Sequence, residues 1–508
     1  MSACTSPALT KLTKFDKAHS LINLCASASP GIFLAHHAGL FNIAPDGSHG
    51  SRSFEPSTQQ AESSGASEQQ SQWARAVQIK PGLFFTGTTD PELRVFDIVM
   101  ETTYGTSYNS YILKGSTKTC LFETTKPAFY DRFLARINDA IGPDGQVDYI
   151  IMNHTEPDHS GSLMRLHRER FPEATLMCTA TALNYAQKVH NFKFPKVINT
   201  VTTRSLDLGG LTLRFLITPL LHWPDSMITY CPELRTLFTC DVFGAHYAHE
   251  GVFNDTVPSQ TNYLEAARYY YNCIFGPFKQ HVLKGLAQLD PLDFDTICCA
   301  HGPVVRSDAR WMVDLYRQWS AIDPLEDRVV LAYVSAYGYT AELAQAVAEG
   351  VRSQGLDCTT FDLVTQPKAD FMASFERAKG VLLGTPTLIA DALPQIWDVA
   401  TSFNRIVHTQ AGPRYAAVFG TYGWSGEGVK NIDERLKQVA FTLPLNPFKV
   451  QFRASAEELV QAQEWGQKFA RAVKGEPINE RPTPAARKPA EVSPCPSATT
   501  TSPAPTTS

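Results

Sequence analysis

Apolar and polar positions along this 508-residue chain fall into two patterned blocks between two unpatterned ends. From about residue 77 to 323, short apolar runs alternate with helix-like periodicity. Thr119–Phe122, Val147–Met152 and Leu213–Ile217 read as buried strands. From Arg328 the alternation is cleaner. Val329–Val334 predicts a buried strand, and Thr340 is expected to cap a helix that carries Leu343, Val347 and Val351 on one face. Further strands are expected at Gly380–Gly384 and Tyr415–Gly420. Strands alternating with helices predict a parallel, doubly wound sheet. Ile322–Glu326 is the expected linker. The domain organisation is therefore an extension over 1–75, folded units over 76–323 and 327–475, and a Pro/Ser/Thr-rich tail over 476–508.

Composition narrows the class. A net charge of -5 offers no electrostatic case for nucleic acid. No apolar run reaches the roughly 18 residues of a membrane span. The eleven cysteines form no Cys-x-x-Cys pair, so a disulfide framework or a Cys-based metal site is not expected, and a reducing compartment fits. The first fifty residues are Ser-rich and acid-poor. They suit either an organelle-targeting leader or a disordered extension, so a soluble protein of the cytoplasm or of an organelle is expected.

Candidate chemistry concentrates in Asn153–Gly161. This stretch holds His154, Glu156, Asp158 and His159 directly after a predicted strand. In an extended loop, alternate side chains share a side, so His154, Glu156 and Asp158 can converge. His222, Asp241 and His301 follow later apolar runs, and four strands delivering such residues to one rim suit a metal pair. Burying that many charges without a cation is costly. Imidazole-rich sites suit zinc, and mixed imidazole–carboxylate sites also suit iron. His190 and His281 lack such company and are expected to be structural.

The order His-x-Glu-x-Asp-His with a later His, Asp and His resembles the metallo-β-lactamase superfamily, with Glu156 replacing its second histidine. More closely, it resembles the flavodiiron proteins. The likeness extends through Gly105–Tyr111, Leu221–Ser226 and Asp241–Gly244, and covers residues 77 to 475. It implies an αββα sandwich followed by a flavodoxin-like sheet. It also implies one iron on His154, Glu156 and His222, a second on Asp158, His159 and His301, and Asp241 between them. The counterpart of His159 turns away from the metal in some family members. His246 and Tyr247 are candidate outer groups.

The second block carries three strand-end loops. Ser335-Ala336-Tyr337-Gly338-Tyr339-Thr340 is a Gly-containing turn at a helix start, a setting that favours a phosphate. Thr385-Pro386-Thr387-Leu388 and Thr421-Tyr422-Gly423-Trp424-Ser425-Gly426 follow two further strands, at the edge where open α/β sheets bind ligands. This half resembles flavodoxin, which implies FMN. Tyr337 and Tyr339 depart from the usual hydroxyl-rich loop. No Gly-x-Gly-x-x-Gly occurs in a strand–helix setting, so direct NAD(P)H binding is not expected.

The resemblance implies reduction of dioxygen to water, of nitric oxide to nitrous oxide, or both. It further implies a head-to-tail homodimer or a dimer of dimers, and an external electron donor such as rubredoxin or a flavin/NAD(P)H reductase. The alternative is a zinc hydrolase with a flavodoxin-shaped accessory domain.

Overall fold

The structure is a computed structural model that describes residues 74–481, except 250, 323, 404–411, 440 and 479. Residues 1–73 and 482–508, which hold nearly all of the expected extension and tail, lie outside the described residues.

In the first half, alternating apolar positions build two facing sheets. One has seven strands in the order Val77–Lys80, Leu83–Phe85, Tyr111–Lys114, Thr119–Phe122, Tyr149–Ile151, Thr175–Cys178, Val197–Asn199. The other has five, Ser205–Asp207, Thr212–Ile217, Met227–Cys231, Thr236–Cys240 and Thr296–Cys299. Between the sheets lies an apolar layer in which Phe122 stacks on Phe238 with ring centroids 3.8 Å apart. Helices Tyr130–Ile141, Leu163–Glu169 and Ala180–His190 cover the outside of the first sheet. Gln260–Ile274, Lys279–Leu289 and Ala309–Trp319 cover the second. This is the expected αββα sandwich. Thr236–Cys240 and Thr296–Cys299 run parallel, so Asp241 and His301 leave the sheet at the same rim.

The second half is a five-stranded sheet, parallel throughout, ordered Asp357–Asp362, Glu326–Tyr333, Ala378–Pro386, Tyr415–Tyr422, Phe448–Gln451. Helices Tyr339–Ser353 and Ala456–Val473 pack on one face, and Lys368–Phe375, Pro394–Ser402 and Glu427–Gln438 on the other. Strand order reverses between the first and third strands in sequence, which opens a crevice at their carboxyl ends. This is the expected doubly wound sheet.

Local expectations are corrected at three places. Glu326 does not belong to a linker; it opens the first parallel strand opposite Ala378. Thr340 does not cap its helix. Gly338 does, at φ +85°, a left-handed conformation that glycine adopts without strain, and Thr340 lies inside the first turn. The loop after His154 is not extended through Asp158. Pro157 starts a four-residue helix, Pro157–Ser160, and proline's fixed φ suits that first position.

Candidate metal centre and cofactor groove

The helical turn at Pro157 explains how four side chains within six consecutive residues reach one point. His154 and Glu156 converge by alternation, and the turn then swings Asp158 and His159 back to the same place. His222 arrives from an irregular loop five residues beyond the strand Thr212–Ile217, not from a strand end as expected. Pro219 cannot donate to a ladder, and it ends the run early.

The seven residues form two subsets that share one carboxylate. Asp241 Oδ2 lies 3.1 Å from His222 Nε2 and 3.6 Å from His154 Nε2. Glu156 Oε2 lies 3.2 Å and 3.3 Å from the same two nitrogens. Asp241 Oδ1 faces the other way, 3.0 Å from His159 Nε2 and 3.4 Å from His301 Nε2. Asp158 Oδ2 sits 3.5 Å and 3.1 Å from those two. All four histidines present Nε2 inward, and His159 points into the cluster.

Two of the four distal ring nitrogens are held from behind. His154 Nδ1–H donates to Asp225 Oδ1 at 3.0 Å, while Thr155 supplies its backbone N–H and its hydroxyl to Asp225 Oδ2. His301 Nδ1–H donates to the Ser107 carbonyl at 2.6 Å. Such partners fix the tautomer and leave Nε2 free as a lone pair. The phenol of Tyr270 donates to Asp241 Oδ1 at 3.1 Å.

The carboxylates and imidazoles of the cluster pair with one another. Burial disfavours charge on His154, but Asp225, Glu156 and Asp241 overcome it and hold its pKa well above the usual range. Burial is likewise outweighed at His159, which Asp158 and Asp241 raise to about 9. The same contest lowers Asp158, mainly through His159 and His301, and Asp241, mainly through His159 and His222. One lone pair stays unused: Asp158 Oδ1 is buried with no hydrogen-bond partner among the described residues. Three carboxylates and four inward imidazoles with a spare acceptor fit a pair of divalent cations better than they satisfy one another.

Of the two outer candidates, His246 reaches the cluster and Tyr247 does not. The His246 ring stacks on Phe96 at 4.4 Å and lies 5.2 Å from His301, with Nδ1 2.9 Å from Thr106 Oγ1. Burial, then His301, pushes its pKa far down, so the ring is neutral. Tyr247 packs on Tyr104 and Tyr263 instead. His190 is structural, with Nε2–H donating to the Ser160 carbonyl at 2.9 Å. The outer groups Asp225, Tyr270 and Phe96 were not singled out by the sequence; a buried carboxylate beside a histidine loop, as in His222-Trp223-Pro224-Asp225, was the one signal for any of them.

The second half holds a cavity of about 270 Å³ at its strand ends. Of the expected loop residues, Ala336, Tyr337, Tyr339, Pro386, Thr387, Leu388 and Thr421 to Ser425 line it. The rest stand behind it. Ser335 Oγ accepts from the Ala341 N–H, Thr340 Oγ1 is 2.8 Å from Thr421 Oγ1, Thr385 Oγ1–H donates to the Pro386 carbonyl, and Gly338 and Gly426 start helices. Ile389, Ala390 and Phe452 also line it and were missed. Its rim is apolar and open, with Trp424 86% exposed. An amphipathic planar ring suits such walls.

Comparison with known proteins follows the same division. Residues 106–302 match the ODP family beta lactamase model, and residues 331–466 match Flavodoxin. The chain is 36% identical over 404 residues to the flavo-diiron protein FprA2 of Clostridium acetobutylicum, covering 78% of this chain and all of that one.

The chain belongs to the flavodiiron protein family. Another relative of this flavodiiron protein is the anaerobic nitric oxide reductase flavorubredoxin of Salmonella arizonae, 33% identical over 411 residues, covering 78% of this chain and 82% of that one. Among solved structures it is similar to the rubredoxin oxygen:oxidoreductase of Desulfovibrio gigas, with TM-score 0.60 and 27% identity over 79% of this chain and 99% of that one. No helix among the described residues is long and apolar enough to cross a membrane.

Proposed function

We propose that this flavodiiron protein is an oxidoreductase that reduces dioxygen to water, nitric oxide to nitrous oxide, or both, at a di-iron centre supplied with electrons by FMN. The observation that carries this reading is Asp241, whose two oxygens face two separate subsets of imidazole and carboxylate. His154, Glu156 and His222 would hold one iron and Asp158, His159 and His301 the other, with Asp241 shared by both subsets. The three strand-end loops, with Ile389 and Phe452, hold FMN. Residues 76–323 and 327–475 are the corresponding functional units, in a soluble protein of the cytoplasm or, through residues 1–75, of an organelle. The hydrolase alternative is not favoured, because carboxylate-rich ligation suits a redox-active hard metal and a hydrolase has no use for an open flavin-type groove.

A bound iron pair would supply a site for a small diatomic, and a bound flavin would supply electrons singly. The chain's own residues do the rest. Asp225 and the Ser107 carbonyl lock His154 and His301 in the tautomer that presents Nε2. Tyr270 fixes the shared carboxylate of Asp241 by a hydrogen bond to its Oδ1. Phe96 and Tyr108 stand edge-on to His301, and Lys126 Nζ lies 4.4 Å over Phe96, so an aromatic wall keeps bulk water off this side. Electrons reach FMN from an external donor such as rubredoxin or a flavin/NAD(P)H reductase. A head-to-tail homodimer would let the flavin of one chain serve the metal site of its partner.

Anaerobic reduction followed by separate stopped-flow mixing with oxygen and with nitric oxide tests the reading. Rapid flavin reoxidation by at least one gas is expected. Iron-loaded, reduced protein that reacts with neither overturns it.

A further inference from the structure

Of the three loops around the proposed flavin groove, the second holds a strained turn. Leu388–Asp391 closes as a two-residue hairpin. The Leu388 N–H donates to the Asp391 carbonyl at 3.0 Å, and the Asp391 N–H donates to the Leu388 carbonyl at 3.1 Å. The two central residues, Ile389 and Ala390, are left-handed, at φ +51° and +58°. A turn of this shape selects Asn, Asp or Gly at both places. A β-branched residue there is a strained exception. Ile389 is 97% exposed, so packing of its side chain does not hold it there.

The restraint comes from Asp391. Its Oδ1 accepts from three donors, the Ala392 N–H at 2.7 Å, the Asn431 amide at 2.9 Å and the Trp397 indole N–H at 3.0 Å. Burial opposes charge on the carboxyl, but the Asn431, Trp397 and Ala392 donors outweigh it and hold the pKa below the ordinary carboxylate range. Trp397 belongs to helix Pro394–Ser402, which follows the second loop, and Asn431 to Glu427–Gln438, which follows the third. The backbones meet as well. A Cβ on Gly428 would lie 2.7 Å from the Ala392 nitrogen and 2.8 Å from the Asp391 carbonyl oxygen. One carboxylate oxygen therefore ties the second loop to the helix that the third loop starts. Both loops line the cavity, Pro386 to Ala390 from one and Thr421 to Ser425 from the other.

We propose that Asp391 is the positioning residue of the flavin groove. Through Trp397 and Asn431 it keeps Ile389 and Ala390 in the left-handed turn and fixes the second loop against the third, and so sets how tightly the groove holds the flavin. This rests on the FMN reading and adds to it. Backbone strain persists only where the surroundings over-determine it, and the Asp391 bonds are that constraint.

Asp391→Ala tests it. FMN affinity is measured by flavin fluorescence titration of the full chain after removal of its flavin. D391A is expected to bind FMN about 10- to 100-fold more weakly, through loss of hydrogen bonds to a charged group. The same change is then made in a chain carrying Ile389→Asn and Ala390→Gly, whose turn adopts the left-handed shape without restraint. There D391A is expected to cost much less affinity. Equal FMN binding by D391A and wild type overturns the proposal, as does an equal loss in both backgrounds. The potential of the flavin that stays bound, read by anaerobic redox titration, separates positioning from a general loss of stability. A shifted potential in D391A is expected, and an unmoved one overturns the proposal. Wild type that binds no FMN fails the cofactor reading instead. If D391A does not fold, Trp397→Phe decides, because it removes one donor and keeps an aromatic ring. W397F is expected to bind FMN about 3- to 10-fold more weakly; wild-type affinity overturns the proposal.

Discussion

At the scale of single residues, Asp241 has the largest consequence. It is 3% exposed and is the one carboxylate that both imidazole subsets touch. Asp241→Asn keeps the shape and removes the charge that two cations would share. The variant is expected to retain FMN and lose gas-driven flavin reoxidation by more than the roughly 10- to 100-fold that loss of an outer hydrogen-bond partner costs. Iron per chain, FMN per chain and stopped-flow traces measure this; reoxidation at the wild-type rate would remove Asp241 from the centre. The inward residues were legible in the sequence because ligand-type side chains rarely crowd six positions without a cation to hold them. The groups behind them were not. Asp225 meets His154 across 71 residues and Tyr270 meets Asp241 across 29, and only the folded sheets create those pairs.

Between elements, the three central strands of the parallel sheet were read from their continuous apolar runs, while the edge strands Asp357–Asp362 and Phe448–Gln451, with fewer buried apolar positions, were missed. What periodicity could not show is how its helices approach each other. Helices Tyr339–Ser353 and Ala456–Val473 cross through reciprocal glycines. A Cβ on Gly466 would meet the Val347 carbonyl at 2.3 Å, and one on Gly350 would meet the Gln463 carbonyl at 2.1 Å. Both obstacles are backbone, so neither helix can yield by turning a side chain. Gly466→Val is expected to destabilise the second half by about 1–3 kcal/mol through overpacking. Flavin release should move to lower urea while iron content stays unchanged. An unshifted urea midpoint would show that the helices can separate freely. The same limit explains the misread cap at Thr340: a hydroxyl at a helix start looks like a cap, and only the backbone angle at Gly338 shows that the helix has already begun.

At the scale of the whole molecule, two apolar surfaces lack cover among the described residues. One is the tip of the hairpin formed by Val95–Phe96 and Met100–Glu101, where Ile98 is 94% exposed and Val95 and Val99 are also open to solvent. The hairpin's Phe96 packs on His246 and edge-on to His301, so this tip marks the approach to the proposed irons. The other is the rim of the flavin-type groove, made by Tyr337, Leu388, Ile389, Trp424 and Phe452. Exposed apolar clusters of this kind mark interaction sites. If the proposed head-to-tail dimer forms through these surfaces, each tip is expected to meet the other chain's rim. Ile98→Asp tests this without disturbing the fold. Ile98 sits at φ +67°, a conformation that aspartate tolerates better than a β-branched side chain. The variant is expected to keep its FMN and iron, to dissociate at higher protein concentration than wild type in sedimentation velocity, and to transfer electrons from flavin to oxygen or nitric oxide more slowly. Slowing should ease as protein concentration rises, because mass action restores the dimer. A variant that sediments and turns over like wild type would place the contact elsewhere on the surface.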